Sequence, residues 1–123
     1  MLVNAFGSYS GSRPLLAREP VAVDIQADGA WSITIEPMAG GDVPAFSGTG
    51  DAVSALFAPP PGDSWEIQHD GQTNFIVWLH CGDRVSLVQN LIGPVRESKV
   101  LAFGPSACYW EVEADGTWSL TPS

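Results

Sequence analysis

Residues 108 to 121 read CYWEVEADGTWSLT, and residues 21 to 35 read VAVDIQADGAWSITI. Each stretch consists of two alternating runs joined by Ala-Asp-Gly. Asp-Gly between such runs signals a two-residue hairpin, because it supplies the positive φ angles of a type I′ turn. Period-2 alternation sends every second side chain to the same face. In the later stretch Cys108, Trp110 and Val112 share one face, followed after the turn by Trp118 and Leu120. In the earlier stretch the matching sets are Val21, Val23 and Ile25, then Trp31, Ile33 and Ile35. These are the expected core faces, with Trp31 and Trp118 buried in equivalent places. Asp24, Gln26, Tyr109, Glu111 and Glu113 are expected to face outward.

The likeness between the two stretches extends upstream. Leu2-Val3-Asn4 and Gly7 correspond to Leu87-Val88, Asn90 and Gly93, while Ser12 and Leu15 correspond to Ser98 and Leu101. With two one-residue gaps the pairing is collinear over roughly 36 positions, the mark of an internal repeat. The repeat covers residues 2–37 and 87–122. The second copy is preceded by a segment, about Phe46 to Ser86, that has no counterpart ahead of the first. The chain is therefore expected to be one domain, 1–123. It would hold an amino-terminal half unit (2–37), a linker MAGGDVP (38–44) and a complete unit (46–123).

The middle segment adds a third hairpin signal. Trp65 to His69 alternates, Asp70-Gly71 turns, and Asn74 to His80 forms a nearly continuous apolar run. Phe75, Val77, Leu79 and Cys81 share one phase, and Ile76, Trp78 and His80 the other. Further strands are expected at Ala52 to Phe57, Val85 to Leu91 and Lys99 to Phe103. No window carries a 3.6-residue period with caps. The fold class that follows is all-β: an antiparallel sandwich or jelly-roll-like barrel of about ten short strands. An apolar half unit cannot stay in water, since each buried large side chain is worth about 1.5–3 kcal/mol. Residues 2–37 are therefore expected to share a core with residues 46–123 or with a second copy in a homodimer.

The segments FSGTGDAVS (46–54), His69 to Val77 with its NFIV block, and ADG-x-WS resemble a repeat β-module of bacterial secreted proteins and lipoproteins. That module is similar in outline to prepeptidase C-terminal-type sandwich domains, which accompany enzymes rather than catalyse. The resemblance implies export and an accessory role. Two features depart from the pattern: the amino-terminal copy lacks its first half, and Leu87 to Asn90 (LVQN) carries one residue more than Leu2 to Asn4 (LVN).

Composition limits the partners. Fourteen acidic and five basic residues give a net charge of -9, which disfavours a nucleic-acid phosphate backbone. No apolar run is long enough for a membrane helix, and Met1 to Gly7 lacks the basic and apolar regions of a signal peptide. The expected location is secreted or cell-envelope, with any export signal outside this sequence. A glycan or a protein is the expected partner.

Chemistry-bearing motifs are few. Gly7-Ser8-Tyr9-Ser10-Gly11 puts tyrosine where a hydrolase elbow needs serine. No P-loop, dinucleotide fingerprint or HExxH occurs, so no catalytic residue and no enzyme activity are expected. His80 and Cys81 are adjacent on a strand and point to opposite faces, which spoils them as a metal pair. No cofactor is expected. Calcium near the turn residues Asp51, Asp63, Asp70 and Asp83 is the remaining metal option, against their ordinary role in Asx turns. Cys81 and Cys108 both fall on inward phases and would form a disulfide if their strands are neighbours. The remaining candidate is an outward patch of Trp78, His80, Tyr109, Glu111 and Glu113, where exposed aromatic rings could stack on sugars or anchor a protein.

Overall fold

Strand formation follows the alternating runs after residue 45, and among the described residues it does not extend to those before it. The computed structural model describes residues 2–15, 22–37, 40, 45–60 and 62–123. Among them are eight strands and no helix: β1 (Phe46–Thr49), β2 (Ala52–Val53), β3 (Ser64–His69), β4 (Asn74–Cys81), β5 (Arg84–Ile92), β6 (Val95–Val100), β7 (Cys108–Ala114) and β8 (Thr117–Pro122). They make two antiparallel four-stranded sheets, in the orders β1-β8-β3-β6 and β2-β7-β4-β5. We call these sheet I and sheet II. Their inner faces supply one core, in which Trp65 of sheet I meets Trp110 of sheet II at 5.2 Å between ring centroids. Phe75, Val77, Leu79, Trp110, Val112, Trp118 and Leu120 are all buried there. The inward phases read from the complete unit therefore hold.

The connections differ from the expected hairpins. β3 and β4, joined through Asp70-Gly71, lie in different sheets, and so do β7 and β8, joined through Asp115-Gly116. Both turns are arches between the sheets. Neither glycine has positive φ, so the type I′ expectation is corrected as well. The glycines serve close approach instead: a Cβ on Gly116 would fall 2.5 Å from the backbone of Gly71. The two arches clasp one another through their aspartates. Thr117 N–H donates to Asp70 Oδ1 at 2.8 Å, while Gln72 and Thr73 N–H both donate to Asp115 Oδ2 at 3.0 Å. Beside the clasp, the buried His69 ring stacks on Phe75 at 4.4 Å, and its Nδ1–H donates to Gly93 O at 2.9 Å. The connection that does form a hairpin is β4 to β5. There Cys81 pairs with Arg84 across Gly82-Asp83, and Gly82 carries the positive φ of 59°.

The LVQN stretch lies at an irregularity of the β4–β5 ladder. Val77 pairs with Gln89 and Trp78 with Leu87, which leaves Val88 as the extra residue of a β-bulge. Lys99 Nζ donates to the Val88 carbonyl at 2.7 Å, satisfying a group next to the disrupted ladder.

The amino-terminal segment departs furthest from expectation. Residues 22–37 contain no strand, and the Asp28-Gly29 turn joins no hairpin. Trp31 is 61% exposed where Trp118 is 2% exposed. Val23, Ile33 and Ile35 are exposed too, so this face does not enter the sandwich core. Val21 and most of the 38–44 linker lie outside the described residues. Of about ten expected strands, eight are present among the described residues; β1 and a shorter β2 replace the expected Ala52 to Phe57, and β6 begins before Lys99.

Candidate functional site

The outer face of sheet II gathers all five residues of the expected patch. Register places Trp78 opposite Glu111 and His80 opposite Tyr109, with Glu113 one step along β7 opposite Ile76. Alternation explains the grouping. The odd-numbered residues of β4 enter the core, so Ile76, Trp78 and His80 emerge on the other side, level with the odd-numbered residues of β7. At one end of the same strand pair Cys81 lies opposite Cys108, and a disulfide joins them across a Cα separation of 4.2 Å. Cys108 exchanges its backbone hydrogen bonds with Phe57 on its other flank. The bridged position is therefore a non-hydrogen-bonded pair with β4, where side chains approach most closely.

The patch is not the open aromatic platform expected from sequence. His80 and Glu111 are each 7% exposed, and Trp78, Tyr109 and Glu113 are half-buried. The cover is the amino-terminal segment. Arg13 extends a guanidinium 3.2 Å from Glu111 Oε2 and 3.2 Å from Glu113 Oε2, with its central carbon 6.0 Å from the centroid of the Trp78 ring. A cation above an indole face between two carboxylates gains from ring quadrupole and ion pairing together. His80 Nε2–H donates to the other Glu111 oxygen at 2.8 Å, and its ring stacks on Tyr109 at 4.4 Å. Glu111 is thus held from both sides. Burial first, and then the Glu111 charge, pushes the Tyr109 hydroxyl pKa up.

A second anchor fastens the same segment. Tyr9 Oη–H donates to Asp51 Oδ2 at 2.6 Å, Ser12 N–H donates to Asp51 O at 3.2 Å, and Ala114 N–H donates to Asp51 Oδ1 at 3.0 Å. Burial, followed by the hydrogen bond to Asp51 and its charge, drives the Tyr9 pKa well above the usual phenol value. Asp51 and Asp70 are consequently engaged as turn and strap acceptors. Among the described residues no three His, Cys, Asp or Glu side chains converge as a metal site. Chemically, the outer face offers a carboxylate pair beside an aromatic plane, which suits a cationic or planar apolar group.

Arg13 is the residue sequence reading missed. Its only sequence signal is scarcity, as one of five basic residues facing fourteen acidic ones. Comparison of the chain with family models, with curated proteins and with solved structures returned no match.

Proposed function

We propose that this chain is a non-catalytic accessory β-sandwich module of an exported bacterial protein, binding protein or glycan at the cell envelope through the outer face of sheet II. The observation that carries the reading is the convergence of Trp78, Tyr109, Glu111 and Glu113 around a seated guanidinium. Arg13 and His80 pair the Glu111 carboxylate in the folded chain, so a ligand presenting a guanidinium or a planar apolar face would compete for the place that Arg13 fills. The Cys81–Cys108 disulfide favours an oxidising compartment. The strand orders β1-β8-β3-β6 and β2-β7-β4-β5 favour a jelly-roll reading of the sandwich. Likeness to the secreted β-module adds the accessory role. The test is a titration of tryptophan fluorescence in Arg13→Ala with oligosaccharides and with arginine-bearing peptides. Saturable quenching that disappears in Arg13→Ala/Trp78→Ala supports the reading, and no response to either ligand class removes it.

A second reading has its own observation. Trp31, Ile33 and Ile35 are large apolar side chains left exposed, which favours a structural or assembly module without a small ligand, the amino-terminal half unit mediating a two-fold dimer.

A further inference from the structure

The outer face of sheet II is built by the strands alone, and the segment lying on it is attached by few bonds. Trp78 and Glu111 stand opposite each other in the β4–β7 ladder. His80 holds the Glu111 carboxylate, and Ala114 N–H holds that of Asp51 at 3.0 Å. None of these supports comes from the amino-terminal segment, so the face is preorganised without it. Residues 2–15 form no strand, and all but Arg13 and Pro14 are exposed. Among the described residues, their polar bonds to the sandwich are those of Tyr9 and Ser12 to Asp51 and of Arg13 to Glu111 and Glu113. Exposed contacts of this kind place a segment at the low-stability end of a fold.

We propose that the outer face of sheet II recognises polypeptide rather than glycan, taking a segment of the pattern Tyr-x-Gly-x-Arg, and that residues 9–13 are its displaceable resident occupant. The proposal rests on the reading of this face as a binding surface and names its ligand class. The strap shows what each position needs. Asp51 accepts the Tyr9 hydroxyl at 2.6 Å. Past it the segment runs so close to the sandwich that a Cβ on Gly11 would fall 2.7 Å from Tyr9 Oη and 2.8 Å from Asp51 Cβ, which selects glycine. Glu111 and Glu113 stand two residues apart on one face, and Arg13 meets them with different nitrogens, Nη2 and Nη1. A guanidinium can do this while lying over Trp78. Lysine has one nitrogen and serves one carboxylate at a time. A neutral sugar brings no cation to the pair.

The test uses the full chain carrying Tyr9→Phe and Arg13→Ala, which loosens the strap, and a fluorescein-labelled peptide of residues 7–15 (GSYSGSRPL) followed by anisotropy. Arg13→Ala alone is run in parallel, since Glu111 keeps its His80 partner there. Both variants bind the peptide saturably, and the unmodified chain binds it at least about tenfold more weakly, because its own strap competes as an intramolecular ligand. Arg13→Lys in the peptide, or Glu113→Gln added to the variant chain, weakens binding by at least about tenfold. Gly11→Ala in the peptide weakens it as well. The proposal is overturned if neither variant binds, if the lysine peptide binds equally, or if the unmodified chain binds as tightly as the variants. Where oligosaccharides quench the tryptophan fluorescence of Arg13→Ala and the peptide does not bind, the binding-surface reading stands and this inference alone falls. Silence from both ligand classes removes both.

Discussion

Residues 22–37 and residues 108–122 carry nearly the same message and have opposite fates. Both contain ADG-x-WS between alternating runs. One becomes two strands in two sheets with its tryptophan sealed in the core; the other forms no strand and leaves its tryptophan in water. The turn block and the alternation are common to the pair, so neither of these decides the outcome; what each stretch packs against does. Residues 108–122 lie between strands of the β1–β4 set on both flanks of β7 and β8, and the described residues 22–37 lie in neither sheet. Alternation describes a surface that fits a sheet, and only neighbouring strands turn it into one.

The strongest way to break this comparison is at the tryptophans. Trp118→Ala should cost about 3–5 kcal/mol of unfolding free energy, read from chemical denaturation, because it leaves a large cavity in the core. Reducing the disulfide should cost about 3.5 kcal/mol on the loop-entropy model, given a sequence separation of 27. Copy one has valine at the position of Cys108, so reduction acts on the complete unit alone, which parallel melts with and without reductant would reveal.

Asp115 sharpens the comparison further. Burial works against its carboxylate, but the Gln72 and Thr73 amides outweigh that and hold its pKa below the usual value. A depressed carboxylate stabilises the fold at neutral pH, and the contribution is lost as pH falls through the folded-state pKa. Asp115→Asn should therefore lower the melting temperature at pH 7 and flatten its decline below about pH 4. Asp28→Asn should change neither quantity. Trp31→Ala should likewise be small, within about 0.5 kcal/mol of the parent. A penalty comparable with that of Trp118→Ala would show that copy one is packed after all.

The inward faces of β4, β7 and β8 were legible because period 2 is a property of the strand itself. Partner choice was less so. Asp-Gly suits a two-residue hairpin, and the same dipeptide also suits an arch in which small size rather than positive φ is needed; nothing local separates the two. That Cys81 and Cys108 would face inward followed from phase, yet their pairing depends on β7 lying beside β4. The Trp78, Glu111 and Glu113 grouping followed from the same phase logic. The Arg13 strap did not, because it joins residues about a hundred positions apart through exposed chain that carries no periodicity.

The disulfide has a consequence for folding fidelity. Residues 21–35 and 108–121 share the ADG-x-WS block between alternating runs, and similar segments of one chain invite exchange during folding. Residues 87–122 carry Cys108, while residues 2–37 carry Val21 at the matching place. Only residues 87–122 can therefore close the bridge to Cys81; a pairing of residues 2–37 in their place would leave that thiol without a partner.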